Sequence, residues 1–162
     1  MWFKKELGIR QHNEFEIVNF EVRHGIQLPE EYKDYLLKNR VSGLSRVLDL
    51  DNWSTPDDEI EKPSDFLRRP FPHLEAWNEK SLYSEEKGWE SEYYADRFWT
   101  GAMRVYNLGC EAYAILVISG TERGNIWIDG RAAWDSGIYP VRAGSRRISF
   151  KEFIKNPDGW LE

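Results

Sequence analysis

The sequence of 162 residues predicts an α+β fold in a single domain spanning residues 1–162. Three patterns support this prediction. Apolar residues recur at helical spacing in the first forty residues, apolar runs of strand length follow between residues 103 and 129, and a short amphipathic segment lies near the end. We therefore expect a mainly antiparallel sheet with two N-terminal helices and one C-terminal helix packed against it.

The first predicted helix covers residues 13–24, with Asn13 as a plausible N-cap. Its apolar residues recur at helical spacing: Phe15, Val18, Val22 and, past the end, Ile26.

The second predicted helix lies in the stretch GIQLPEEYKDYLLKN, residues 25–39. Gly25 can adopt the positive φ that ends the preceding helix, and Pro29 suits a first helical turn. Acidic residues begin this helix and Lys38 lies near its end, as the helix dipole favours. One stripe should pack inward; it consists of Tyr32, Tyr35, Leu36 and Asn39.

Residues 44–50 resemble a strand, which we place at the edge of the sheet. From about 51 to 98 the apolar residues show no long helical or strand periodicity, because four prolines interrupt it: Pro56, Pro63, Pro70 and Pro72. We expect a long connection with one short helix around residues 75–80. Long connections in compact domains are often functional.

The second half contains clearer elements. Met103, Val105 and Tyr106 indicate one strand, and the unbroken apolar run 113–118 indicates a central one. Residues 125–130 should form a hairpin with that strand. A final short helix is predicted from Ser149 as its cap and Glu152 at the capping-box position, with three apolar residues on one face: Phe150, Phe153 and Ile154.

These motifs resemble the SUKH superfamily. The string GIQLPEEYKDYLLKNR is similar to its "G-x-x-LP-x-x-Y" signature, and four later segments are similar to its strand exit, apolar strand, turn and last helix: 105–109, 114–118, 124–128 and 149–153. The segments that carry the resemblance lie between residues 13 and 155. Residues 40–43 depart from the usual Asn-Gly turn, and the 51–98 segment has no family pattern.

The superfamily unites yeast Smi/Knr cell-wall regulators with bacterial immunity proteins of polymorphic toxin systems. The resemblance implies a non-catalytic protein-binding module, in the first instance an immunity protein that binds a cognate toxin, often a nuclease with a basic groove. The alternative is a regulatory scaffold of the cell-wall or signalling type, with several partners of modest affinity. An undetected enzyme would draw on Cys110 and the scattered His and Asp residues.

Charge and aromatic content locate the expected binding surface. The net charge of −6 argues against direct nucleic-acid binding, and residues 49–96 alone hold 14 acidic and 5 basic side chains. Aromatic residues, common anchors at interfaces, cluster in the same segment. The predicted residues for a basic partner are Asp57, Asp58, Glu59, Glu61, Trp77, Glu85, Glu86, Trp89, Trp99, Trp127 and Asp129. Alternatively, the aromatics fill the core and the acids are merely solvated.

The sequence offers no pattern for a cofactor, a metal or a nucleophile. His12, His24 and His73 have no Cys or second His at ligand spacing, and Cys110, after a strand, suits a small buried thiol. Asp49-Leu50-Asp51 begins like a calcium loop but is rejected, because the later ligand and glycine positions hold the wrong residues: Trp53, Ser54 and Ile60.

The compartment is predicted from what the sequence contains. It has a single Cys, a lysine-containing N-terminus without the apolar run of a signal peptide, and no apolar stretch near the roughly 20 residues of a membrane span. We therefore expect a cytoplasmic protein that does not bind membranes; the oligomeric state is left open.

Overall fold

A four-stranded antiparallel sheet forms the centre of the protein. The computed structural model describes residues 10–41, 45–54, 61–133 and 135–161. The strands are β1 (Ala102–Gly109), β2 (Ala112–Val117), β3 (Ile126–Asp129) and β4 (Ile138–Pro140), adjacent in that order. A second sheet pairs β5 (Arg142–Ala143) with β6 (Arg146–Arg147). The helices are α1 (Glu14–His24), α2 (Glu30–Lys38) and α3 (Phe150–Phe153). The α+β prediction is confirmed, including the predicted strands that became β1, β2 and β3.

Helix α1 has the predicted ends but buries a different stripe from the one its spacing suggests. The Asn13 side chain accepts a hydrogen bond from the Glu16 N–H at 2.9 Å, and Gly25 ends the helix with φ of 63°. The stripe of Phe15, Val18 and Val22 is 74%, 52% and 76% exposed. The side chains that face the core are Ile17 and Phe20. Helical spacing identifies an apolar stripe, but tertiary packing decides which stripe is buried.

Helix α2 packs as predicted except at Asn39, which was expected on the inward stripe. Tyr32 and Leu36 are fully buried, Tyr35 is half-buried, and Asn39 is exposed, where its side chain donates to the Tyr35 carbonyl. The Tyr32 hydroxyl donates to the Leu48 carbonyl at 2.9 Å. The inward stripe of α2 therefore belongs to the core.

The two faces of the sheet are covered by different parts of the chain. On one face, the Tyr106 ring packs edge-on against Phe153 of α3 at 5.7 Å. On the other, Phe71 of the long connection packs against Trp127 of β3 at 4.9 Å. The pairing register agrees, since Tyr106 lies opposite Ala114 whereas Trp127 lies opposite Ile115, the next residue of β2. The segment 61–100 thus packs on the face of the sheet that carries Trp127.

The predicted edge strand at 44–50 is irregular where the structure describes it. Val47 makes an isolated bridge to Tyr106, and the Leu48 N–H donates to the Val105 carbonyl at 2.9 Å. The segment does lie beside edge strand β1. However, Val47 makes only this isolated bridge, so the segment is not a regular strand.

The short helix expected at residues 75–80 is wrong. Trp77 instead exchanges two backbone hydrogen bonds of 2.8 Å with Ile138 of β4, so this part of the chain is extended. Pairing with a sheet edge satisfies the backbone groups that a helix would otherwise use. Helical turns follow later, as short 3₁₀ helices at Lys80–Leu82, Gly88–Glu90, Glu92–Tyr94 and Asp96–Phe98.

The C-terminal helix α3 is confirmed, but its predicted capping box is wrong. Ser149 has an extended backbone and makes no side-chain cap, while Glu152 bonds to Arg146 at 2.9 Å. Burial of Phe150 and Phe153 holds this four-residue helix in place. None of the described helices combines the length and the apolar character needed to cross a membrane.

Candidate functional site

A buried serine closes the loop that carries the most exposed tryptophan of the described chain. The Ser91 hydroxyl contacts the Ser84 carbonyl at 2.9 Å and the Gly88 carbonyl at 2.6 Å, and it accepts from the Ser84 N–H at 3.0 Å. Ser91 is only 3% exposed. The loop 84–91 is therefore held from inside while its tip faces solvent.

Trp89 at this tip forms an exposed aromatic group with two tyrosines. Its side chain is 64% exposed and its ring lies 4.8 Å from that of Tyr94. Tyr83 is 46% exposed and meets Tyr94 edge-on at 6.2 Å. Together with the exposed acids Glu85 and Glu86, these residues are called the Trp89 patch. Exposed Glu90 and Glu92 lie in the same stretch, beside one exposed cation, Lys87, and Glu92 is paired with Arg97, so acids outnumber cations around the patch in the sequence.

Behind Trp89 lies a cavity of about 270 Å³, here called the aromatic pocket. Its walls combine aromatic rings with charged groups of both signs: Lys62, Trp89, Tyr94, Asp96, Trp99, Arg104, Glu111, Tyr113, Asp129, Arg131 and Ala132. Concave sites that mix apolar walls with a few polar groups are the usual location for ligands or for an anchor side chain of a partner.

One cation of the pocket is held between two rings. The Arg104 guanidinium carbon lies 4.5 Å from the ring centres of both Trp99 and Tyr113. The Arg104 side chain also donates to the Ser54 carbonyl at 2.8 Å. Contact with aromatic faces suits a planar guanidinium, and here it holds Arg104 in the lining of the pocket.

A second cation, Lys62, forms an ion pair with Asp96 at 2.8 Å. Burial alone would raise the pKa of Asp96, but hydrogen bonds from Lys62 and from the Trp99 indole N–H outweigh it and lower that pKa. Asp96 is thus a fixed anion that accepts hydrogen bonds, a poor general acid near neutral pH.

The third cation, Arg131, is buried, and most of its N–H donors are engaged. It forms a bidentate pair with Asp129 at 2.9 and 2.8 Å and donates to the backbone carbonyls of Tyr93 and Ala95 at 3.0 and 3.3 Å. Arg131 therefore ties the end of β3 to the turns that carry the Trp89 patch.

The structure divides the predicted partner-binding residues into three groups. Glu61, Glu85, Glu86 and Trp89 are exposed and available to a partner. Asp57, Asp58 and Glu59 lie outside the described residues. The remaining four are packed inside: Trp77 is half-buried, and Trp99, Trp127 and Asp129 are 1%, 0% and 6% exposed.

For those inner residues the surface prediction needs correction. Trp99 and Trp127 fill the core under the long connection, and the Asp129 charge is neutralised by Arg131. Trp77 stacks on Phe98 at 4.2 Å. Aromatic density along a sequence cannot separate rings that cover a sheet from rings that face solvent.

Sequence reasoning missed the cations of the pocket. Composition identifies the acids and aromatics of one segment, whereas Lys62, Arg104 and Arg131 come from three distant parts of the chain. Only Arg104 had a local signal, since it lies between apolar Met103 and Val105 on a predicted strand and must emerge on one face of the sheet.

The remaining chemically distinctive side chains are placed as follows. His73 is buried between aromatic rings and its Nε2 lies 2.7 Å from the Phe98 carbonyl oxygen. His24 is half-buried against Phe20 and Trp53. Cys110 is exposed at φ of 49°, so the expected buried thiol is wrong: the residue forms the β1–β2 turn instead of continuing a strand.

No protein-family model, curated protein or solved structure matched this chain. Membership of the SUKH superfamily therefore stays a prediction from the sequence motifs.

Proposed function

We propose that this chain is a non-catalytic protein-binding module, an immunity protein of the SUKH type that neutralises a cognate toxin by binding it. The observation that carries the proposal is the Trp89 patch: a 64% exposed tryptophan in a loop held by the buried Ser91, with exposed acids on both sides of it in the sequence.

The patch has the composition of an interface centre. A large aromatic side chain loses little rotamer entropy on binding, and such residues supply most of the energy at many interfaces. Exposed carboxylates around it accelerate association with a basic surface. The groove of a nuclease toxin, which must attract phosphates, is a surface of that kind.

Two further features support this proposal. The corner from Gly25 into α2 serves the core through Tyr32 and Leu36, as expected for a family scaffold whose partner-binding surface lies elsewhere. The exposed Cys110 thiol suits a reducing compartment, so we place the protein in the cytoplasm, where a toxin would be neutralised.

Binding to the toxin encoded beside its gene tests the proposal. Trp89→Ala should raise the Kd about 30-fold or more, since a central aromatic anchor contributes about 2 kcal/mol or more. Phe15→Ala is the matched control, because Phe15 is also an exposed aromatic, 74% accessible, but lies on α1. It should leave the Kd unchanged. Isothermal titration calorimetry measures both.

Charge reversal tests the acidic part of the patch separately. Glu85→Lys combined with Glu86→Lys should slow association and weaken its dependence on ionic strength, as measured by stopped-flow mixing. Failure of the purified protein to retain the toxin, or normal binding by both Trp89→Ala and the charge-reversed variant, would overturn the proposal.

A regulatory scaffold is the second candidate, because α1 presents a separate exposed apolar surface of Phe15, Val18 and Val22. Two surfaces suit several partners of modest affinity. In that case a pull-down would capture more than one protein, and Phe15→Ala and Trp89→Ala would each abolish the capture of a different one.

A further inference from the structure

A buried imidazole near the N-terminal end of α1 is surrounded by carboxylates. The His12 side chain is 1% exposed, and its Nδ1 lies 2.8 Å from Glu16 Oε2. That contact orients the ring; in the neutral imidazole with Nδ1 donating to Glu16, Nε2 carries the lone pair. Nε2 then faces Asp49, which begins the turn at residues 49–52.

The contact between His12 and Asp49 lacks the geometry of a hydrogen bond. Asp49 Oδ2 is 3.1 Å from Nε2, yet Nε2 is buried without a hydrogen-bond partner. Asp49 Oδ1 already accepts the Asp51 N–H at 2.9 Å, so Oδ2 is the oxygen left for the imidazole. Two atoms bound to one tetrahedral zinc at about 2.1 Å lie about 3.4 Å apart, which is close to this separation.

Asp51 completes a group of three. One ligand atom from each of His12, Asp49 and Asp51 lies within 4.8 Å of the others. Asp51 is 43% exposed, so its carboxylate has room to adjust. A cavity of about 180 Å³ lined by His12 and Asp51 adjoins the group, and it offers space for water ligands.

The charges around the imidazole are unbalanced. Three carboxylates, Glu16, Asp49 and Asp51, face His12, and Arg10 is the cation paired with this cluster, through Glu16 and through Asp51 at 2.8 Å. With the imidazole in the neutral form that binds a metal, the five groups together carry a charge of −2, which one divalent cation would neutralise.

We propose that His12, Asp49 and Asp51 form a binding site for a divalent transition metal, with Zn²⁺ as its best-fitting ion. One imidazole nitrogen, two carboxylate oxygens and water make a four-ligand zinc site. Glu16 holds the imidazole through Nδ1, the ring nitrogen that does not bind the ion, as carboxylates do in many histidine metal sites. The ion joins the start of α1 to the turn at 49–52, so it stabilises the fold and takes no part in the Trp89 patch.

Substitution of Arg10 should affect zinc binding in the opposite direction from substitution of a ligand. The Arg10 guanidinium competes for the Asp51 carboxylate and repels a cation. Arg10→Ala should therefore tighten zinc binding several-fold, whereas zinc bound weakly at scattered surface groups would be almost insensitive to this change.

The experiment titrates Zn²⁺ into the full chain after chelator treatment, against a chromophoric zinc indicator. Cys110→Ser is the background, because an exposed thiol could bind zinc by itself. One equivalent should bind, and X-ray absorption should show one imidazole and oxygen ligands at about 2.0–2.2 Å.

Matched variants locate the ion. Asp51→Asn and His12→Asn should weaken zinc binding at least about tenfold, and Glu16→Ala about tenfold. Asp65→Asn is the control, since Asp65 is also a partly exposed carboxylate paired with an arginine but lies elsewhere. Because Asp51 is exposed, its variant remains informative if His12→Asn fails to fold.

Unchanged stoichiometric binding in Asp51→Asn, or no zinc binding by the Cys110→Ser protein, would overturn the proposal. So would weaker binding in Arg10→Ala. A rise in thermal stability with zinc that disappears in Asp51→Asn but not in Asp65→Asn would support it.

Discussion

Arg131 and Asp129 place two opposite charges in the interior beside the aromatic pocket, at 5% and 6% exposure. The pair persists because the guanidinium also reaches the carbonyls of Tyr93 and Ala95, so most of its donors are satisfied. Its value is positional: it fixes the turns that carry the Trp89 patch relative to the sheet.

Removing one member of this pair should destabilise the fold strongly. Arg131→Met leaves the Asp129 carboxylate buried without its partner, which costs about 3–5 kcal/mol of unfolding free energy. The double variant Asp129→Leu/Arg131→Met should lose less than Arg131→Met alone. Urea unfolding of both proteins measures this; an equal or larger loss in the double variant would show that the unpaired Asp129 carboxylate is not what destabilises Arg131→Met.

His73 should make stability depend on pH. Burial lowers the pKa of His73, only partly offset by its hydrogen bond to the Phe98 carbonyl, and among nearby charges Arg131 lowers it and Asp129 raises it. The unfolded chain binds the proton first, near pH 6.5, so stability falls as the pH drops from about 6.5 towards the lower folded pKa. His73→Gln should unfold with a flatter pH dependence between pH 7 and 5 in urea titrations. An unchanged slope would contradict this assignment.

At the scale of elements, local signals predicted α1, α2 and the three main strands, because caps, periodicity and apolar runs lie within each segment. They failed at residues 75–80 and only partly described 44–50. There, the conformation depends on pairing with β4 and β1, which are far away in the sequence.

Helix α1 has one buried and one exposed apolar stripe, and one substitution in each can be compared. Phe20→Ala should cost about 3–5 kcal/mol, because its buried ring packs against His24 and Trp53. Val22→Ser, two residues later and 76% exposed, should change stability by about 0.5 kcal/mol or less. Thermal and urea unfolding check both values, and comparable losses would mean that the exposed stripe is covered in solution.

At the scale of the whole molecule, the long connection lies so close to the sheet that one position near β4 tolerates only glycine. A Cβ on Gly137 would lie 2.1 Å from the Trp77 carbonyl oxygen, and its φ is 74°. Such a close approach between segments 60 residues apart leaves no trace in local sequence.

Gly137→Ala should therefore destabilise the protein by several kcal/mol, beyond the backbone strain of about 1 kcal/mol that positive φ imposes on alanine. Gly124→Ala is the control, since Gly124 has φ of 89° but open space around its Cβ position. The difference in unfolding free energy between the two variants measures the steric part. Equal effects would show that the close approach relaxes without cost.

The candidate site was predictable only in part. The exposed acids and Trp89 belong to one acidic, aromatic segment and were found from composition, whereas the pocket cations were assembled by the fold. Trp99 and Trp127 were misplaced for the same reason: burial is a property of the packed sheet, which composition does not contain.

The short backbone bridges at Val47 and Trp77 bear on how a partner can bind. Within the described chain they lie against β1 and β4, the two outer strands of the main sheet, and occupy hydrogen-bonding groups there. Partners that add a strand of their own need such groups free, and so do aggregating copies. Recognition by this protein is therefore expected to depend on side chains, and a toxin that inserted an extended strand would first have to displace Val47 or Trp77.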